Sequence, residues 1–431
     1  MKYALVGANV FIKGKFVKTN ISVCDGIVVS IDNSLIPSDF VTFDVSDKYI
    51  FPGFIDVHVH LREPGFSYKE TIKTGTLACA HGGYTTVCTM PNLSPVPDSL
   101  ENLNVQLDLI KKDAVIEVIP FGAITKKECG IELAEFEEMA DFVCGFSGDG
   151  KGVQSEEMMR RAMLKAKSLE KIISAHCEDN SKLFGGYIHD GEYAKAHSHR
   201  GISSESEWAQ IERDLRLAKE TGVKYHVCHI STKESVDLIR RAKLEGVDVS
   251  CETAPHYLIL DDSYMQEDAR FKMNPPLRDR SDRLALIEGI KDGTIDVIAT
   301  DHAPHSKEEK SLGLEKSPMG ITGIESAFPL LYTHLVKKGV INLEKLITLL
   351  NTNPRKRFNI GTDIEEGKTA NFTVFDLNKK YTVTEDFFLS MGKSSPFTDS
   401  EVYGKCLLTV YNGKTVYSNI NDIDDGGTKN A

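Results

Sequence analysis

The 431-residue sequence predicts an α/β fold: a (β/α)8 TIM-like barrel, with a small β-sandwich domain formed from both chain termini. Three observations carry this expectation. Between Phe51 and Asp301, eight apolar runs of four to eight residues recur, with helical patterns between them. These runs lack polar alternation, as strands buried on both faces of a parallel sheet do. Before and after this region the texture changes to short alternating strands broken by Asn, Asp and Gly.

Taken in chain order, YALVGANVFI and KFVKTNISVCDGIVVSID read as the first strands. The eight apolar runs follow: FIDVHVHL, TTVCTM, VIPFGAI, FVCGFS, IISAHCE, KYHVCHI, VDVSCETA and IDVIATD. Among the helical stretches between them, SYKETIKTGTLACAHGG places Ser67 and Glu70 at capping-box spacing, and SEEMMRRAMLKAKSLEK is amphipathic. Beyond about Gly361, KTANFTVFDL, YTVTED and CLLTVYNGKTVY return to strand character. The expected division is 1–50 plus 362–418 as one composite sandwich, 51–361 as the barrel, and 419–431 as a polar tail that frays.

The hydrophobic fraction of 41% and charged fraction of 26% fit a globular protein. A net charge of -12 with no Lys/Arg cluster argues against a nucleic-acid partner, while leaving room for a small anion held by one local Arg. No run approaches the roughly 18 apolar residues of a membrane span, and MKYALVGANVFIKGKFV lacks a signal-peptide pattern, so the expectation is a cytoplasmic protein without membrane partners. Nine cysteines without a C-x-x-C pair, among them Cys79, Cys88, Cys144 and Cys228, read as reduced core residues.

The stretch FPGFIDVHVHLREPG ends a buried strand with two histidines and an arginine. Side chains at i and i+2 share a strand face about 6.6 Å apart, so His58 and His60 point together into the barrel mouth. Matching positions on other strands supply His176, His229, Asp301 and, just past FVCGFS, Asp149. Imidazoles and carboxylates converging in this way suit a borderline divalent cation, with zinc the best fit. Burying them unpaired would cost several kcal/mol each.

By alternation His226 faces away from His229, and His302 away from Asp301. Asp56 lies inward, one layer deeper, as a partner of a ligand. His81, His189, His197, His199, His256 and His334 read as surface, loop or structural residues.

HVHLREPG, MPNLSPVPD, NPPLR, ATDHAPH and GITGIESAFPLLY resemble the bacterial type I dihydroorotases of the amidohydrolase superfamily, and the resemblance covers nearly the whole chain. It implies metal ligation by His58, His60, Asp149, His176, His229 and Asp301, with one or two zinc ions, Asp149 bridging a binuclear site and Asp301 carrying a proton. It further implies that Arg62, Asn92 and His305 hold the substrate carboxylate, and that Asn274 and the backbone at Met319 and Gly320 contact the carbamoyl or ring end.

The implied reaction is the reversible cyclisation of N-carbamoyl-L-aspartate to L-dihydroorotate in pyrimidine synthesis. One departure stands out: where many members of the superfamily bridge metals with a carboxylated lysine, this chain offers Asp149, and Lys151 comes two positions late. A homodimer and an association with aspartate transcarbamoylase are expected alongside. The competing readings are another cyclic-amide hydrolase, such as an allantoinase or hydantoinase, and a non-catalytic dihydroorotase-like subunit. Segments 306–316 and 182–203 are long enough to cover the mouth, the first equally a solvated loop and the second equally a subunit contact.

Overall fold

The computed structural model describes residues 2–419. Strands β1 (Lys2–Ile12), β2 (Lys15–Cys24), β3 (Ile27–Asp32), β4 (Val41–Asp44) and β5 (Tyr49–Pro52) open the chain. Strands β6 (Phe54–Val59), β7 (Tyr84–Thr89), β8 (Glu117–Pro120), β9 (Gly122–Ala123), β10 (Gly145–Ser147) and β11 (Ile172–Ala175) follow. A two-strand ribbon, β12 (Ile188–His189) and β13 (Gly201–Ile202), precedes β14 (Lys224–Val227), β15 (Val249–Thr253) and β16 (Val297–Ile298). The chain ends in β17 (Phe372–Thr382), β18 (Glu401–Tyr411) and β19 (Lys414–Ser418).

Every residue of β6, β7, β11 and β15 is buried, which is why these strands carry no polar alternation. They belong to two parallel sheets, β6-β7-β8 and β16-β15-β14-β11-β10-β9. The run VIPFGAI divides into β8 and β9 around the buried Phe121. Hydrogen bonds join the sheet edges: Cys144 N donates to Pro120 O at 3.1 Å and His60 N to His302 O at 2.8 Å.

The remaining long strands form one mixed sheet, in which β17 pairs antiparallel with β5 and so brings the two chain ends together. An aromatic cluster couples this sheet to the parallel strands. Phe51 on β5 lies 5.7 Å from Phe375 on β17, and Phe328 lies 4.4 Å from Phe375 and 5.2 Å from Phe54 on β6. Offset and tilted ring pairs of this kind add to the area they bury. Of the tail expected to fray, only Asn419 falls among the described residues, where its N–H reaches Leu407 O.

Serine and threonine caps set the helix starts: Ser99 accepts from Asn102 N, Ser155 from Met158 N and Thr232 from Ser235 N. The cap expected at Ser67 is displaced. Thr71 caps the helix Ile72–His81 through a box with Thr74, and Glu70 is instead buried against the Ser390 hydroxyl and Met391 N. All nine cysteines are free, and Cys129 is exposed, unlike the buried Cys79, Cys88 and Cys228. No helix of the described residues is long and apolar enough to cross a membrane.

Candidate metal centre and substrate pocket

The floor of the site is Asp149, just beyond β10, surrounded by imidazoles. His58 Nε2 lies 3.2 Å from Asp149 Oδ1 and His60 Nε2 3.4 Å from Oδ2, while His176 Nδ1 and His229 Nε2 each lie 3.6 Å from Oδ1. Potential ligand atoms converge as two sets, His58–His60–Asp149 and Asp149–His176–His229, with Asp149 common to both. Asp301 Oδ1 stands 3.2 Å from His60 Nε2 and 3.5 Å from His58 Nε2. Burial alone would raise the Asp149 carboxyl, yet His58, His229 and His60 hold it well below the usual range.

The residues fit a metal. His58 Nε2 and His176 Nε2 are buried without a hydrogen-bond partner among the described residues, and the ring nitrogens His176 Nδ1 and His229 Nε2 face each other at 2.9 Å. Partners on the far ring nitrogens orient two of these imidazoles. His58 Nδ1 donates to Glu252 Oε1 at 2.7 Å and His60 Nδ1 to Asn92 Oδ1 at 2.9 Å, leaving each Nε2 as the lone-pair side. Cys228 and Glu252 also converge on His58, but burial pushes the Cys228 thiol up to about 12, which keeps it a thiol and a poor ligand.

Glu252 was not singled out from the sequence, although it is one of only two acids within VDVSCETA, with Asp248. It also accepts from His226 Nε2 at 3.0 Å and His229 N at 3.3 Å. His226 therefore faces the same carboxylate as the cluster, against the alternation argument. That argument breaks down because β14 ends at Val227, and His229, like Asp301, sits past its strand with left-handed φ of 30° and 48°.

His302 turns away from the cluster, as expected, but is fully buried and accepts from Gly323 N. Asp56 contacts no ligand imidazole. It accepts from His58 N at 3.0 Å and the Thr300 hydroxyl at 2.6 Å, tying β6 to the segment that carries Asp301. Lys151 points out of the site, 3.9 Å from Glu128.

A cavity of about 210 Å3 opens above the cluster, lined by Arg62, Asn92, Asn274, Asp301, His305, Met319 and Gly320 among others. Every residue expected from the sequence to hold a metal or touch substrate borders it except His58. Arg62 is 8% exposed, and its Nε donates to Pro304 O at 3.0 Å. No carboxylate lies within ion-pairing distance of its guanidinium among the described residues, and burial lowers it only to about 10, so it remains a cation.

His305 Nε2 donates to Met319 O at 2.8 Å, and its Nδ1 accepts from Lys69 Nζ at 3.2 Å. Burial and the charges of Arg62 and Lys69 hold its imidazole near 3, so it is neutral. Lys69 escaped sequence reasoning, as did Glu178, which accepts from Asn274 Nδ2 at 2.9 Å. The Met319 and Gly320 carbonyls and Gly320 N already have partners within the protein. The two long segments touch each other, Arg200 Nη2 donating to Glu315 Oε1 at 2.8 Å, and neither lines the cavity.

The fold is shared with solved hydrolases. An L-hydantoinase from Arthrobacter aurescens superposes with a TM-score of 0.86 at 23% identity over 96% of each chain, and a dihydropyrimidinase from Brevibacillus agri with 0.85 at 23% identity over 97% and 95%. The shared fold carries a buried His/Asp cluster that could hold a metal ion.

The family model described as Dihydro-orotase-like matches residues 47–235. A dihydroorotase of Fusobacterium nucleatum is 49% identical over 412 residues, 95% of this chain and 97% of its own length. One of Bacillus cytotoxicus is 47% identical over 408 residues, 94% and 95% of the two chains. The chain belongs to the dihydroorotase family.

Proposed function

We infer that the protein is a dihydroorotase, which interconverts N-carbamoyl-L-aspartate and L-dihydroorotate in pyrimidine biosynthesis. The observation that carries the reading is Arg62: a buried cation without a carboxylate partner, across a small cavity from the metal cluster. A cyclic amide bearing one carboxylate answers both ends. A neutral hydantoin ring would leave the guanidinium unpaired, which weighs against the hydantoinase reading that the solved neighbours suggest.

The ligands would be His58, His60, Asp149, His176, His229 and Asp301, with Asp149 shared between two zinc ions. A divalent ion held there supplies Lewis acidity to the ring carbonyl and lowers the pKa of a water from about 15.7 to about 7. Asp301 takes the proton of the attacking water and delivers it to the leaving ring nitrogen; in ring closure it removes a proton from the carbamoyl nitrogen. Arg62 pairs with the substrate carboxylate, and neutral His305 and Asn92 complete that end. Asn274 and the main chain at Met319 and Gly320 face the ring.

We also propose that the parallel strands close into one eight-unit barrel over 51–361, with 1–50 and 362–418 as a composite sandwich. A cytoplasmic location, a homodimer and association with aspartate transcarbamoylase are further proposals, the last two resting on the family resemblance and checked by light scattering and co-elution.

The deciding assay is hydrolysis of L-dihydroorotate by zinc-replete protein beside allantoin and hydantoin, with Asp301→Asn as control. Turnover of dihydroorotate alone, lost in the control, supports the reading; turnover of hydantoin instead overturns it.

A further inference from the structure

One side chain gathers three main-chain carbonyls of the cavity wall. Lys310 ends the short helix Lys307–Lys310, and its Nζ donates to Lys272 O at 3.2 Å, Pro318 O at 3.1 Å and Gly320 O at 2.8 Å. An ammonium has three donors and no acceptor, so these carbonyls satisfy it in full. Lys272 O accepts from Gly320 N as well, at 3.1 Å, which binds the segment leading to Asn274 against the Met319–Gly320 wall. Lys272 Nζ in turn reaches Glu315 O at 2.7 Å, and Glu315 takes Arg200 from segment 182–203.

We propose that Lys310 is a positioning residue: by drawing the Lys272, Pro318 and Gly320 carbonyls together it sets the wall that faces the substrate ring and holds segment 306–316 against that wall. This rests on the cyclic-amide reading of the cavity. Lys310 touches none of the metal-cluster residues.

The charged groups facing it are Lys272, Asp268 and Glu309, with Glu315, Lys69 and His305 beyond; Glu309 is already paired with Lys69 at 3.0 Å. Burial, with Lys272 adding, lowers the Lys310 ammonium to about 7 against the weaker pull of Asp268 and Glu309. Below that pH the cation holds all three carbonyls. Above it the neutral amine keeps two N–H donors and releases one. The KM for ring hydrolysis should therefore rise as pH increases through about 7.

The test compares wild type with Lys310→Met in zinc-replete protein, measuring kcat and KM against pH and cleavage of segment 306–316 by a glutamate-specific protease. The expected result is a KM raised about ten-fold with kcat within about three-fold, a KM that no longer varies near pH 7, and faster cleavage at Glu308, Glu309 or Glu315. An unchanged KM with intact protection overturns the proposal, as does a fall in kcat alone. If the variant does not fold, the wild-type KM decides, a flat profile across pH 7 overturning it. If wild type hydrolyses no dihydroorotate, the reaction reading has failed, and the protease arm still decides whether Lys310 holds the segment.

Discussion

Arg62 carries a left-handed backbone, φ 63°, as do His229 and Asp301, so three residues of the site sit in a region that side chains ordinarily avoid. In each case the chain has just left a strand and must turn its side chain back over the mouth. Strain kept at such positions marks where geometry is over-determined by the surroundings. For Arg62→Ala we expect kcat/KM for dihydroorotate to fall by about 100-fold with metal content retained, since the lost contact is a charge-assisted fork to a carboxylate. Loss of metal, read by atomic emission, would make Arg62 a structural residue. Asp301→Asn should lower kcat by about two to four powers of ten, the range of a lost general acid–base group, in steady-state hydrolysis.

Elements behind the ligands decide how well those ligands are held. Glu252 on β15 joins His58, His226 and the main chain of His229, so one buried carboxylate ties together imidazole-bearing residues of β6, β14 and the turn past β14. Glu252→Gln should keep the fold by circular dichroism while weakening zinc affinity by about 10- to 100-fold in chelator competition. Unchanged affinity would remove Glu252 from the account of the site. The loop after β17 acts from behind the pocket. A Cβ on Gly392 would meet the Pro304 ring at Cβ, 2.7 Å away, and His305 O at 2.8 Å and N at 2.9 Å, main-chain atoms that cannot swing aside. Gly392→Ala should therefore displace His305 and raise KM by about ten-fold more than it changes kcat, a split that initial rates resolve.

For the whole molecule, the sites lie where parallel strands end, so that residues distant in sequence meet on one face. The reaction itself sets one prediction. Ring closure consumes a carboxylate and a proton, so low pH favours dihydroorotate and the equilibrium ratio should shift about ten-fold per pH unit in the neutral range. A ratio independent of pH, measured from both directions at equilibrium, would exclude this reaction.

The parallel α/β character was legible because buried strands must be apolar along their whole length, and the cluster was legible because His58 lies in β6 and His60 directly follows its last residue, so the two-residue repeat still carries both to Asp149. The resemblance of HVHLREPG, MPNLSPVPD, NPPLR, ATDHAPH and GITGIESAFPLLY implied the substrate-contact candidates, and the cavity gathers every ligand and contact candidate but His58 at its surface. Tertiary structure alone decided the rest. Past the strand ends alternation no longer governs direction, so His226 joins Glu252 instead of facing away. Glu252 reaches His58 across 194 residues, Lys69 reaches His305 across 236 and Lys310 reaches Lys272 across 38, while Gly392 packs on His305 from the loop after β17. Such roles come from packing between separate elements, and no local pattern records them.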